Sequence, residues 1–374
     1  MANSFITLKS IARRALPRLM DELVFPSLIY KDFSDAFSDL GDTVQVRKPA
    51  VLTAREFDQA QGVFYEDIKE SSVDVTLDKL ATVDVAAGAI ESAVSLNSEE
   101  ALMRDFIEPA IAALAEKINS DGLNLYKDVA NFTGTAGTLP SSLAELAAVR
   151  KALNDAKVPS EGRVVVLDTE ADASLITLPA LVNAEKSGDT RALRQGCLGR
   201  VFGVDYYTSQ AVKKHVSGIS AHSGVKLASA VSAGADTLSL SGTSLTGKLV
   251  RGDLLVIAGD SYTVCEDSAA AASNAISGIK VYPQLKSYAA NTAVTLVGSH
   301  TANLAFNPMA FAFVTRPLIN PDGQGVESYV TSFGGISLRV TKGYDQKYKK
   351  STYSMDVLYG YKTVYPELAL RILS

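Results

Sequence analysis

Residues 98–131 have the sequence SEEALMRDFIEPAIAALAEKINSDGLNLYKDVAN, and this long helical pattern decides the fold. Pro109 removes one helical hydrogen bond, which predicts a bend. At about 1.5 Å per residue the helix would be roughly 50 Å long, well beyond the usual three or four turns. Its apolar residues recur at helical spacing and form one stripe: Leu102, Phe106, Ala110, Leu114, Ile118, Leu125 and Val129.

Two alternating strands precede this helix, at 43–57 and 72–85. In the second strand, Val73 and Val75 alternate with Asp74 and Thr76, so polar side chains occupy one whole face. An isolated hairpin of this kind is marginally stable in water. We therefore expect it to become ordered only against another surface, with residues 58–70 forming an acidic exposed tip.

The composition is that of a soluble globular protein and excludes several classes of function. The 374 residues are 47% hydrophobic and 21% charged, with a net charge of -5, which disfavours a dedicated nucleic-acid binder. Cys197 and Cys265 are too few and too far apart for a disulfide framework or a CxxC site. No apolar run approaches the roughly 18 residues that span a bilayer.

The beginning of the chain is basic, with four cations and no acid before Asp21: Lys9, Arg13, Arg14 and Arg18. This composition superficially resembles a mitochondrial transit peptide. We interpret residues 7–20 instead as a basic amphipathic arm.

The remainder of the chain reads as three regions. A helix at 140–157, a buried strand at 163–167 and a helix capped by Asp168 and Thr169 indicate a mixed α/β unit, which a polar loop at 183–203 follows. Residues 217–300 are rich in Ser, Ala, Thr and Gly, with short strands typical of a small β-barrel or sandwich. The end returns to sheet, with strands predicted at 310–315, 336–340 and 354–364. A mobile loop is predicted at 267–277.

The chain shows no constellation of catalytic residues. His215, His222 and His300 are its only histidines and lack metal-ligand spacing. There is no GxSxG elbow, phosphate-binding loop or GxGxxG motif, and Gly323 and Gly325 are interpreted as turn glycines. Residues 342–353 interleave lysines and tyrosines as a nucleic-acid stacking surface would, but a solvated hairpin turn is favoured.

The order of these parts resembles the major capsid proteins of tailed bacteriophages, which have the Hong Kong 97 fold. Within that family, the chain looks like the coat proteins of Salmonella-type short-tailed phages, which carry an inserted I-domain. The motifs that carry the resemblance are MANSF (1–5), ARRALPRLMDELVFPSLIYKDFSDAF (12–37), LGDTVQVRKPA (40–50), VPSEGRVVVLD (158–168), GRVFGVDYY (199–207), LVRGDLLVIAG (249–259) and DVLYGYKTVYPELALRI (356–372).

The resemblance implies an α+β fold with the family's domain organisation. It comprises an N-arm (1–40), an E-loop (41–92), a P-domain with the long spine helix (93–139 and 326–374), an A-domain (140–215 and 301–325) and an inserted β-barrel (216–300). Gly41, Gly88 and Pro109 are candidate hinges between quasi-equivalent positions. The basic face of Lys9, Arg13 and Arg18 is a candidate contact with a scaffolding protein or a neighbouring subunit.

The resemblance also implies a function and a set of partners. The chain would self-assemble through pentamers and hexamers into an icosahedral shell, in the host bacterial cytoplasm, and would reside in the virion capsid. Its partners would be other copies of itself, a scaffolding protein, a portal, a decoration protein and packaged double-stranded DNA bound without sequence specificity. No catalytic residue, metal, cofactor or membrane is implied.

Two alternatives remain open at this point. An encapsulin-like bacterial nanocompartment shares the fold but encloses an enzyme cargo. A carbohydrate-binding or adhesive protein could instead use the inserted β-domain, because small β-barrels often bind sugars. The absence of Trp from the whole chain disfavours the second alternative.

Overall fold

A computed structural model describes residues 8–31, 43–48, 71–88, 107–183, 191–321 and 326–374. The α-helices in these ranges are α1 Leu8–Glu22, α2 Val24–Ser27, α3 Glu108–Leu123, α4 Leu143–Asp155, α5 Thr169–Ile176, α6 Pro179–Val182 and α7 Arg191–Gln195. Short 3-10 helices occupy Asn124–Asp128, Pro308–Ala310 and Pro366–Leu368.

The strands of the described ranges, in chain order, are β1 Thr43–Lys48, β2 Ser71–Thr76, β3 Lys79–Gly88, β4 Phe132–Gly134, β5 Val164–Leu167, β6 Gly199–Val201, β7 Val204–Thr208, β8 Lys214–His215, β9 Ile219–Ala221, β10 Lys226–Leu227, β11 Thr237–Ser241, β12 Thr246–Gly247, β13 Leu254–Ile257, β14 Asp260–Val264, β15 Ala275–Tyr282, β16 Val294–Leu296, β17 His300–Phe306, β18 Phe311–Arg316, β19 Glu327–Phe333, β20 Ile336–Asp345, β21 Lys350–Thr363 and β22 Ala369–Leu373.

The chain forms two compact units, of which the first comprises residues 1–16, 31–106 and 312–364. Its main sheet has the strand order β18-β21-β20-β19, and β3 lies antiparallel beside β21 over ten residue pairs from Lys79 to Gly88. A separate ribbon pairs β1 with β2 in antiparallel register, with Val44 opposite Val75 and Val46 opposite Val73. Val75 is buried, whereas Asp74 and Thr76 are exposed, as the alternation predicts.

The second unit comprises residues 17–30, 107–311 and 365–374. Its seven-stranded sheet has the order β4-β22-β17-β5-β7-β6, and β8 also pairs with β17. Helices α4, α5 and α6 contribute apolar side chains to a core on this sheet, together with Val165, Tyr206 and Ile372. Side chains alternate along β22. Leu370 and Ile372 therefore lie in this core, whereas Arg371, between them, faces the other side of the sheet.

Residues 226–296 form a six-stranded antiparallel sheet with the order β10-β11-β15-β14-β13-β16. Leu227 exchanges backbone hydrogen bonds with Asn291 and Thr292, and Lys226 bridges Ala293, so the first strand lies beside the last. This closure makes the sheet a ring that surrounds its own apolar core, which includes Leu240, Leu255 and Ile257. A closed sheet leaves few unpaired backbone groups at its edges.

The long helix ends earlier than predicted. The structure gives α3 as Glu108–Leu123, followed by the 3-10 helix to Asp128 and extended backbone at Val129, so the prediction of helix to residue 131 was wrong. The cause lies in the sheet: the carbonyl of Asn131 accepts the backbone N–H of Arg371, and the chain continues as β4 beside β22. Residues 98–106, with the predicted start of the helix, lie outside the described residues.

Three other predictions need correction. The strand expected at 72–85 breaks at 77–78, because β2 pairs with β1 whereas β3 pairs with β21. The stretch 183–203 is not all loop, since it contains α7 and β6. The loop predicted at 267–277 ends earlier, where β15 begins at Ala275. The hairpin tip at 58–70 and the turn glycines Gly323 and Gly325 lie outside the described residues.

Several local predictions are confirmed. The basic amphipathic arm is α1, the helix expected at 140–157 is α4, and the buried strand expected at 163–167 is β5. The Asp168 side chain accepts a hydrogen bond from the backbone N–H of Glu170 and so caps α5.

Candidate functional site

One face of α1 carries positive charge. Lys9, Arg13 and Arg18 are all exposed. The apolar residues of the opposite face are buried, including Ile11, Ala15 and Leu19. Arg18 Nη1 lies 2.9 Å from a carboxylate oxygen of Glu108 on α3, so the Arg18 charge is partly neutralised within the chain. Lys9 and Arg13 lie one turn apart, which places both charges on the same side of the helix. The two cations therefore form a surface suited to an acidic partner.

The three candidate hinges differ in their surroundings. Gly88 is the last residue of β3, opposite Lys350. Pro109 is the second residue of α3. Ile107 ahead of it already has helical backbone angles, φ -77° and ψ -42°. Gly41 lies outside the described residues. The hinge assignments, and the bend expected at Pro109, stay predictions.

The turns of two successive hairpins in the first unit expose large aromatic side chains. Phe333, at the β19–β20 turn, is 67% exposed, and Tyr344 and Tyr348, at the β20–β21 turn, are 54% and 63% exposed. Lys347 Nζ lies 5.3 Å from the centre of the Tyr348 ring. Residues 342–353 therefore form a hairpin, as the sequence predicts. Large aromatic side chains are enriched at protein interfaces.

A buried polar network lies where the ring of strands meets the seven-stranded sheet. Asp253 Oδ1 lies 2.8 Å from His215 Nε2, and His215 Nδ1 lies 3.0 Å from the Tyr126 hydroxyl. Because a carboxylate only accepts, Nε2 carries the proton, and in the neutral ring the Tyr126 hydroxyl then donates to Nδ1. The Asp253 carboxylate also accepts the backbone N–H of Val250 at 2.8 Å, which fixes the turn before β13.

Arg371 completes this network. Its guanidinium donates to the carbonyls of Gly252, at 2.7 Å, and Lys127, at 3.2 Å, and to the Thr263 hydroxyl at 2.9 Å. It also lies over the Tyr126 ring, 5.2 Å from the ring centre. Complete burial lowers the pKa of Arg371 to about 9, so the group remains charged at neutral pH. One cation thus joins a strand of the sheet, the 3-10 helix after α3 and two segments of the ring.

Gly252 permits this close approach. Its φ of +98° suits glycine, and a Cβ atom there would lie 2.8 Å from Lys127 Cγ and 3.3 Å from His215 Cε1. A larger residue would press on the Lys127 side chain and the His215 ring, so one of these groups or the turn would have to shift. This position therefore requires glycine on two independent grounds.

His300 lies against the same network. Its ring centre is 5.3 Å from that of His215, and its Nδ1 is 2.8 Å from the Gly298 carbonyl oxygen. Burial lowers the pKa of His300 to about 4, so the ring is neutral at pH 7. Its Nε2 has no hydrogen-bond partner within the described ranges.

The network has the chemistry of an active site but lacks access. A carboxylate that orients a histidine, which in turn contacts a hydroxyl, matches the roles of catalytic triads. However, the His215 and Asp253 side chains are only 3% and 2% exposed, so no substrate reaches them in this conformation. The arrangement can hold the ring of strands in place, and we assign it that structural role.

Metal-ligating side chains do not cluster in the described part of the chain. No group of three or more His, Cys, Asp and Glu side chains there could hold a metal ion. Cys197 and Cys265 are both free thiols, and burial raises the pKa of Cys265. None of the helices described has the length and apolar character needed to cross a membrane.

The sequence pattern indicates the cations of α1 but not the buried network. Tyr126, Asp253 and Arg371 are far apart in sequence, and no motif connects them. The one available signal was Arg371 itself, a charged residue inside the apolar run LALRIL at 368–373, because a cation in a buried strand needs partners.

Comparison with solved structures finds the same fold elsewhere. A chain from Mycobacterium phage Che8 matches with a TM-score of 0.52 and 18% identity, covering 94% of this chain and 90% of that chain. A chain from the capsid structure of the Cyanophage P-SCSP1u matches with a TM-score of 0.50 and 12% identity, covering 94% of this chain and 88% of that chain. No protein-family model and no curated protein matches the sequence. At these identities the similarity establishes a shared fold.

Proposed function

We propose that this protein is a bacteriophage major capsid protein, which self-assembles through pentamers and hexamers into the icosahedral shell around the phage genome. The observation that carries the proposal is the match of 94% of the chain to a chain from a cyanophage capsid structure, which is itself covered over 88% of its length. The match covers nearly the whole of both chains, so the similarity is not limited to one shared domain.

The described surfaces support a shell subunit. The exposed aromatic side chains Phe333, Tyr344 and Tyr348 and the exposed cations Lys9 and Arg13 offer contact groups at separate places on the chain. Repeated contacts between different surfaces of identical chains generate rings and closed shells. The histidine network is buried, which argues against an enzyme built on it.

Within this function, we assign the parts as the Hong Kong 97 fold would have them: N-arm, E-loop, P-domain, A-domain and an inserted I-domain-like barrel at 216–300. The closed ring of strands with its own core supports the last assignment. The proposed partners are further copies of the chain, a scaffolding protein, a portal, a decoration protein and double-stranded DNA. The proposed location is the virion capsid, after assembly in the host cytoplasm.

Electron microscopy of the purified full chain tests the proposal. We expect closed icosahedral particles, formed by the chain alone or with its scaffolding protein. A uniform monomer under both conditions would contradict the function. DNA packaged in particles isolated from infected cells supports a phage shell, whereas an enclosed enzyme would identify the encapsulin-like alternative.

Removal of the exposed aromatic rings is expected to prevent assembly without unfolding the subunit. In the double variant Phe333→Ser/Tyr344→Ser, the loss of each ring that a neighbouring copy buries should weaken that contact by about 2 kcal/mol, which is a roughly 30-fold loss of affinity. Sedimentation velocity would then show subunits where the unmodified chain forms particles. Tyr344→Phe is the matched control, because it keeps the ring and should keep assembly. Particle formation by the double variant at unchanged concentration would exclude these turns as contacts.

Charge reversal on α1 tests the contact with the scaffolding protein. In Lys9→Glu/Arg13→Glu, both exposed cations become acids, while Arg18 and its ion pair with Glu108 stay intact. We expect scaffold-directed particle yield to fall by about tenfold in sedimentation assays, because rim charges direct encounter and register. The control Lys151→Glu reverses an exposed lysine on α4 and should leave the yield unchanged. Equal yields from both variants would rule out the α1 contact.

A further inference from the structure

A cavity of about 380 Å³ lies between α4 and the seven-stranded sheet of the second unit. Its deep wall is apolar and includes Leu146 and Val149 of α4, Leu175 of α5, and Ile372 of β22. The volume falls in the range of about 300–1,000 Å³ that is usual for small-molecule sites. The assembly surfaces proposed above use none of these residues.

Tyr206 of β7 brings a polar group to this apolar wall. Val204 and Tyr206 point into the core, whereas Tyr207 is exposed, because side chains alternate along the strand. Tyr206 is 5% exposed, and its hydroxyl has no hydrogen-bond partner within the described ranges. Burial raises the pKa of Tyr206 to about 12, so the group is a neutral phenol that can donate a proton. A buried donor without an acceptor is unfavourable, and a bound acceptor would relieve this.

The mouth of the cavity is accessible and polar. Thr135, Thr138 and Ala144 line it and are exposed. Glu145 also lines the cavity, but its carboxylate accepts the backbone N–H groups of Ser141 and Ser142 at the start of α4. A carboxylate at this position disfavours an anionic ligand, and the apolar wall disfavours a cationic one, so a neutral ligand fits best.

We propose that this cavity is a binding site for a small, neutral, apolar molecule that carries one hydrogen-bond acceptor, with Tyr206 donating to that acceptor. An aryl ketone represents this chemical class. The aromatic body occupies the space between α4 and the sheet, and the carbonyl oxygen accepts from Tyr206 Oη. This inference is independent of shell formation.

Titration of the full chain with 4-fluoroacetophenone and 4-fluorocumene, followed by ¹⁹F NMR, tests the site. The two probes have similar shape, but only the ketone carries an acceptor. In Tyr206→Phe we expect affinity for the ketone to fall about tenfold and affinity for the hydrocarbon to change less than twofold. Equal affinity of both proteins for the ketone, or no binding of either probe to the unmodified chain, would overturn the proposal.

A second pair of variants locates the site without altering its core. Ala144→Phe places a ring at the exposed mouth and should abolish binding of both probes. Ala147→Phe, an exposed position on the same helix that does not line the cavity, should leave both affinities unchanged. Both substitutions are at the surface, and circular dichroism checks that the fold is kept. Unchanged binding in Ala144→Phe would place the probes elsewhere and refute the assignment.

Discussion

Replacing Arg371 with methionine is expected to lower the free energy of unfolding by about 2–3 kcal/mol. The guanidinium is completely buried and donates to three acceptors, the carbonyls of Gly252 and Lys127 and the hydroxyl of Thr263. Methionine fills part of the volume but leaves the Gly252 carbonyl without its donor in an apolar environment, which is unfavourable, whereas the Lys127 carbonyl keeps its hydrogen bond from the Thr263 hydroxyl. The loss is therefore much greater than for a typical surface arginine.

Urea unfolding followed by circular dichroism measures this loss. Arg251→Met is the matched control, because Arg251 forms an ion pair with Asp128 at 2.6 Å but its side chain is half exposed. We expect the control to lose at most about 1 kcal/mol, the range of solvent-screened pairs. Arg371→Lys keeps the charge but lacks the planar guanidinium that donates to separate acceptors. Its loss of stability should therefore lie between those of Arg371→Met and Arg251→Met. Equal losses for Arg371→Met and Arg251→Met would show that the buried network does not stabilise the fold.

Acidification from pH 6.5 to pH 4 is expected to destabilise the subunit through His300. Burial lowers the pKa of this ring from 6.5 in the unfolded chain to about 4 in the fold. As the pH falls below 6.5, His300 therefore becomes protonated in the unfolded chain but stays neutral in the folded chain. The contribution of His300 to the free energy of unfolding amounts to about 3 kcal/mol. It is fully present above pH 6.5 and is lost progressively towards pH 4. The charge of Arg371 close by also opposes protonation of His300.

The variant His300→Asn isolates this effect from other titrating groups. Asparagine does not titrate, so the free energy of unfolding of this variant should depend less steeply on pH between 6.5 and 4 than that of the unmodified chain. His222→Asn is the control, because His222 is exposed, and it should keep the steep dependence. Urea unfolding at half-unit pH intervals provides the comparison. Parallel curves for the unmodified chain and His300→Asn would contradict the assignment.

Sequence patterns predicted the elements whose residues form a local period. The apolar stripe of Leu114 and Ile118 marks α3, and the exposed cations Lys9 and Arg13 mark the polar face of α1. Asp168 caps α5 as predicted because a cap involves only residues two or three positions apart. These features depend on short-range geometry, which the sequence displays directly.

The errors occur where a distant partner decides the structure. Periodicity alone extends the helix to residue 131, but the backbone of Asn131 pairs with Arg371, and that pairing draws the chain into the sheet. Likewise, nothing between Ser72 and Val85 indicates that the alternating pattern divides between two partners. β2 meets β1, whereas β3 meets β21, nearly 270 residues further along the chain.

By itself, the sequence determined the order of the parts, the amphipathic helices and the alternating strands, because these follow from local propensity and the period of apolar residues. The tertiary structure alone decided which strands pair, and that Tyr126, His215, Asp253 and Arg371 meet in one buried network. It also leaves the Tyr206 hydroxyl, beside a cavity, without a hydrogen-bond partner among the residues that the structure describes. The physical reason is that burial and pairing depend on groups far away in sequence, whose positions only the folded chain brings together.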